Sequence, residues 1–211
     1  MSYPINQQLE SYIETQIIPQ YKNFDSAHQP SHAREVINES MRLAQFHPVN
    51  LDMVYTIAAY HDTGLRKGRA THQLESGYII RHDKILRTFF TLSEIETMAQ
   101  AAEDHRASSD HEPRSIYGMI VAEADRCIDA TTIVRRTIQY GLSHYPECTK
   151  EEHFIRFQQH MKEKYAEGGY LKIWLNESSN AQRLYEFQQL LKDVRRTRAL
   201  FEAQWDLTVD K

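Results

Sequence analysis

The chain has 211 residues, 41% of them hydrophobic and 26% charged, with seven glycines, six prolines and two cysteines. That length supports a sizeable core, while the cysteines are too few for a disulfide framework and the glycines and prolines too few for a turn-rich all-β fold. A formal net charge of -4 gives no electrostatic basis for gripping duplex nucleic acid, and no stretch approaches the roughly 18 apolar residues of a membrane span.

Met1 to Leu9 carries neither the basic nor the apolar region of a signal peptide, so a cytoplasmic, reducing setting is expected. Residues 3 to 22 read as a first helix, with Leu9, Tyr12, Ile13 and Ile17 at three-to-four spacing and Pro19 kinking or ending it. After a loop from Asp25 to Pro30, Ser31 is expected to cap a second helix that His47-Pro48 closes. His32 then falls in its first turn. Asn50 or Asp52 starts a third helix, apolar almost all round and therefore central and buried. It runs through Ile57-Ala58-Ala59-Tyr60 into adjacent His61 and Asp62, and Gly64 is expected to stop it.

A loop with the basic run Arg66-Lys67-Gly68-Arg69 follows, and a fourth helix opens at His72, where Gly77 lets a neighbour approach closely. Ser93 with Glu96 reads as a capping box for a helix ending near His105. Ser115 opens a long helix through Ile116, Ile120, Cys127 and Val134, with Asp125 inside it and Cys127 in the core. Thr149 with Glu152 caps a helix to about Tyr165, and a last helix runs from about Ser179 to Trp205. The basic run Arg195-Arg196-Thr197-Arg198 reads as a solvated helix face. No segment alternates with a period of two and no internal repeat is visible, so the fold is read as all-α.

Eleven histidines become informative only if they converge. Taken singly, His32 reads as a surface histidine, and Asp125 as a carboxylate paired with Arg34 or Arg126, because an isolated buried carboxylate needs a partner. Taken together, His32, His61, Asp62 and Asp125 form a set of two imidazoles and two carboxylates. Such a set suits Mn2+, Fe2+, Ni2+ or Zn2+ better than an all-oxygen Mg2+ or Ca2+ cage. On a six-coordinate ion, four protein donors leave two positions for water and a substrate oxygen.

The stretch from about Ser26 to Asp129 resembles the small bacterial HD-domain metal-dependent phosphohydrolases. The matching pieces are Ser31-His32-Ala33-Arg34-Glu35-Val36, Ala58-Ala59-Tyr60-His61-Asp62, Ala101-Ala102-Glu103-Asp104-His105-Arg106 and Ala122-Glu123-Ala124-Asp125-Arg126. The resemblance implies an HD helical bundle, with a core at about 26–140 and additional C-terminal helices at about 141–211 in one all-α domain. It puts His32, His61, Asp62 and Asp125 in the metal-ligand positions. It matches His72 and His105 to the extra histidines that in some relatives serve a second metal or touch the phosphate. The Gly-Tyr-Pro extension of the cyclic-di-GMP branch and the Glu-Asp pair of enzymes acting on guanosine polyphosphate alarmones are both missing, which disfavours those substrates.

The expected reaction is metal-dependent hydrolysis of a phosphate ester or anhydride, in a nucleotide or other small phosphorylated molecule. A divalent transition metal, with Mg2+ a less favoured occupant, activates the water. Asp62 both ligates and orients, and His72 or His105 assists the leaving group. Lys67, Arg69 and Arg106 are the expected phosphate contacts, with a solvated loop as the plainer reading for the first two. The alternative function is a non-catalytic nucleotide-binding regulatory module built on the same fold.

Overall fold

The computed structural model describes residues 4–25, 27–109, 111–126 and 128–209. Every regular element among them is helical, so the all-α reading holds. The chain divides into two compact units, Met1–Arg126 and Cys127–Lys211. Cys127, expected in the core, lies outside the described residues. Among the described residues no helix is long and apolar enough to cross a membrane.

The first unit is built around α3 (Leu51–Tyr60), in which every residue from Met53 to Tyr60 is buried. Full burial of an Ile or Val side chain contributes about 1.5–3 kcal/mol, which is why so apolar a helix occupies the centre. Against it pack α2 (Pro30–Ala44), α5 (Leu92–Glu103) and α6 (Ile116–Ala124), while α4 (His72–His82) lies on α5.

Several expected boundaries move, each for a local reason. The first helix is shorter than 3–22: α1 covers Gln7–Tyr12, widens to a π-helical turn at Ile13–Ile17 and tightens to a 3-10 turn at Ile18–Asn23. Pro19 lacks an N–H and its ring crowds the preceding turn, so the ladder widens ahead of it. Helix α2 starts at Pro30 with Gln29 before it, not with Ser31 as cap, since proline is suited to the first helical position. The α5 box is Thr91 with Glu94, two residues before the expected pair. Glu96 instead binds Arg81, at 2.8 Å.

The long helix expected from Ser115 to Val134 is two helices. The first ends at Ala124, with Asp125 in the capping position, and Asp129 accepts from the Thr132 amide (2.7 Å) to start α7 (Ala130–His144). In the second unit α8 (Lys150–Lys164) carries the Thr149–Glu152 box as expected. The last expected helix breaks at Asp193, whose carboxylate accepts from the Arg195 and Arg196 amides, giving α9 (Asn180–Lys192) and α10 (Val194–Val209). Helix α7 packs on α10, so it groups with the C-terminal helices although the expected core extended to about 140.

Gly64 does not stop α3. The helix ends at Tyr60 because side chains take its last carbonyls: His61 Nδ1 takes Ala58 O at 2.7 Å, the Tyr21 hydroxyl takes Ala59 O at 2.9 Å and Thr63 Oγ1 takes Tyr60 O at 2.7 Å. Gly64 lies instead where the following turn meets α4. A Cβ there would fall 2.0 Å from His72 O and 2.7 Å from Ser76 N. Gly77 admits α5 in the same way, with Ala99 O at 3.0 Å from its virtual Cβ.

Candidate metal centre

The carbonyl capping that ends α3 also orients its ligand. A carbonyl oxygen only accepts, so the His61 Nδ1 bonded to Ala58 O carries the hydrogen, and in the neutral ring Nε2 keeps a lone pair. The same device recurs twice, each time on the carbonyl three residues back. His105 Nδ1 donates to Ala102 O at 2.6 Å past the end of α5, and His72 Nδ1 donates to Arg69 O at 2.9 Å at the start of α4.

Those Nε2 atoms converge on Asp62, a buried carboxylate whose two oxygens face opposite ways. Oδ2 lies 3.3 Å from His61 Nε2 and 3.6 Å from His32 Nε2. Oδ1 lies 3.3 Å from His72 Nε2 and 3.5 Å from His105 Nε2. Asp125 closes the first group, with Oδ1 3.2 Å from His32 Nε2 and 3.8 Å from His61 Nε2. Arg34, one of the two arginines expected to pair with Asp125, binds Glu14 instead, at 2.6 Å.

Electrostatics at this cluster are extreme. Burial alone would raise the Asp62 pKa, but His61, His105 and His32 outweigh it and hold the carboxyl far below the usual range. Burial alone would lower His32, yet hydrogen bonding to Asp125 and Asp62 pushes it up to about 10. Burial and then the neighbouring His105 push His72 down to about 4.

A divalent cation fits these residues. His72 Nε2 and His105 Nε2 are 3.2 Å apart, and His61 Nε2 and His32 Nε2 are 3.3 Å apart. Ring nitrogens facing at that spacing need positive charge between them, a proton in the metal-free chain or a cation that replaces it. Cis donors each about 2.1 Å from one octahedral ion are themselves about 3.0 Å apart, close to the spacing seen. Two groups have this character, His32 with His61 and Asp62, and Asp62 with His72 and His105. Asp62 belongs to both.

The expected phosphate contacts have partners of their own. Lys67 and Arg66 both bind Glu75, at 2.8 and 2.9 Å. Arg69 is 71% exposed and its nearest acidic neighbour is Asp25, at 3.9 Å. Arg106 Nη1 donates to Ala70 O at 3.0 Å. One cleft of about 550 Å³ is lined by Asp25, Arg66 and Arg69, and another of about 670 Å³ by Gln73 and Arg106. Neither is lined by His32, His61, Asp62 or Asp125.

Two residues at the cluster were not singled out from sequence. Tyr21 is fully buried and its hydroxyl, besides holding Ala59 O, accepts from the Asp62 amide at 3.3 Å. Nothing in the sequence distinguishes it from any core tyrosine. His28 lies 3.9 Å from Asp62 Oδ2, and its spacing of four before His32 was the available signal.

The fold and cluster together define a helical domain organised around a shared histidine–aspartate centre. The family model of the HD domain matches residues 31–129, which include His32, His61, Asp62, His72, His105 and Asp125. That segment, just under half of the chain, places it with the HD-domain proteins. Comparison with curated proteins and with solved structures gave no match.

Proposed function

We propose that this protein is a metal-dependent phosphohydrolase acting on a nucleotide or another small phosphate ester or anhydride. The observation that carries the reading is Asp62, whose two oxygens each face a pair of imidazole Nε2 atoms. His32, His61, Asp62 and Asp125 would hold one divalent ion, and Asp62, His72 and His105 a second. Mn2+, Fe2+, Ni2+ or Zn2+ suits the mixed nitrogen and oxygen donors. When bound, such an ion lowers the pKa of water towards about 7 and polarises a phosphoryl oxygen.

The chain's own residues do the rest. Backbone carbonyls lock the His61, His72 and His105 rings, so the Nε2 atoms are presented without reorganisation. Arg69, largely exposed, and Arg106, next to His105 in the chain, would neutralise the charge of the incoming phosphate, and Lys67 would join them by exchanging its Glu75 partner for phosphate. Where a second ion does not occupy them, His105, whose pKa burial would lower but hydrogen bonding to Asp62 raises, would donate to a phosphoryl or leaving-group oxygen, while neutral His72 would accept at Nε2.

The test is hydrolysis of a panel of nucleotides and a generic phosphodiester with added Mn2+. Turnover is expected, and Asp62→Ala is expected to abolish it. Activity unchanged by that substitution refutes the mechanism. Metal binding without turnover across the panel would point to the non-catalytic regulatory module instead.

A further inference from the structure

His28 precedes the matched HD segment and is not among the residues assigned above. Its loop is tied down by side chains. Gln29 Nε2 donates to Phe24 O at 2.8 Å and to Asp25 O at 3.0 Å, and the Ala27 amide donates to Asp25 Oδ1 at 2.9 Å. The His28 ring, 14% exposed at its side chain, is thereby turned inwards. Its Nδ1 lies 2.7 Å from Asp25 Oδ1 and its Nε2 3.9 Å from Asp62 Oδ2. It stands edge-on to His32, with ring centroids 5.6 Å apart at 88°.

We propose that His28 is a further donor to the metal centre on the Asp62 Oδ2 side, with Asp25 holding its ring. This rests on the metal-centre reading above. A carboxylate only accepts, so Nδ1 carries the hydrogen and Nε2 offers its lone pair towards the oxygen that His32 and His61 also face. An imidazole backed by a carboxylate on its far nitrogen is the arrangement in which metal-bound histidines are held and made more basic. The 3.9 Å separation exceeds the 3.3 and 3.6 Å that part His61 and His32 from the same oxygen, so His28 is the outer member on that side and would have to move inwards to bind. The two sides of Asp62 then differ: the Oδ2 side has His28, His32, His61 and Asp125, while among the described residues the Oδ1 side has His72 and His105. The Oδ1 side keeps more positions for water and phosphate.

The experiment is titration of metal-free protein with Co2+, followed by calorimetry and by the visible d–d absorption, for the wild type, His28→Ala and Asp25→Ala. His28→Ala is expected to weaken Co2+ binding by about 10- to 100-fold and to alter the absorption band. Asp25→Ala is expected to shift affinity in the same direction by less. Circular dichroism of the metal-free variants separates this from loss of fold. Affinities within twofold of wild type with an unchanged spectrum would overturn the proposal and leave His28 as a bridge between two carboxylates. A wild type that binds no Co2+ at all sinks the metal-centre reading as well, and the two failures are told apart by the wild-type titration.

Discussion

Replacing Tyr21 by Phe removes one oxygen from the interior and tests how the ligand-bearing turn is held. The phenol donates to Ala59 O at 2.9 Å and accepts from the Asp62 amide at 3.3 Å. Burial, followed by the nearby Asp62 charge, keeps its pKa well above 10, so it remains a protonated donor at any working pH. A net hydrogen bond contributes about 1 kcal/mol, and a buried partner left unsatisfied costs about 1–3 kcal/mol. The second bond is long and counts for less, so the substitution should cost about 2–4 kcal/mol in all. For a chain of this size each kcal/mol moves Tm by about 2–4 °C, giving a fall of about 5–15 °C. Urea and thermal unfolding of the metal-free proteins measure it, with metal titration alongside, because the Asp62 backbone loses an anchor and affinity should fall too. A loss below about 0.5 kcal/mol with unchanged metal affinity would show that the hydroxyl does not position the turn.

The close contact at Gly64 predicts that Gly64→Ala is severe. A Cβ 2.0 Å from His72 O meets backbone, so α4 must shift at a cost above about 3 kcal/mol, displacing His72 from Asp62; thermal unfolding and metal binding report both, and a wild-type Tm would contradict it. The metal-free chain should also lose stability in acid through His72. Its folded pKa of about 4 lies below the free value of 6.5, so its contribution is present above 6.5 and is lost as pH falls towards 4. His32, pushed up to about 10, acts oppositely: its contribution is full below 6.5 and is lost as pH rises through 10. Tm measured from pH 4 to 10 should therefore fall at both ends, with a shallower acid limb in His72→Gln; an acid limb unchanged by that substitution would refute the His72 part.

Which parts of this structure were legible in the sequence follows from the kind of signal each carries. Helix α3 was readable because eight consecutive buried residues leave no polar face to misread. The convergence of His61, His32 and Asp125 was readable as ligand order, and the geometry brings those side chains together. The boundaries misread were those set by one side chain choosing among equivalent partners. Thr91 with Glu94 and Ser93 with Glu96 are both capping-box patterns, and only the Arg81–Glu96 pair decides between them. Asp129 and Asp193 break helices that the apolar spacing continues through, because a carboxylate on two or three following amides competes with the ladder. Gly64 admits the backbone of α4 where a helix stop is expected, since a glycine that ends a helix and one that admits a neighbouring backbone look alike in one dimension. Tyr21 stayed hidden because its role depends on a contact across about forty positions.

The central claim, that these side chains gather round a divalent cation, is tested most directly by anomalous diffraction from crystals grown with Mn2+. The account predicts a peak bonded to Asp62 Oδ2, His32, His61 and Asp125. A map with no peak among these donors, or with Mn2+ bound only elsewhere on the chain, would contradict it.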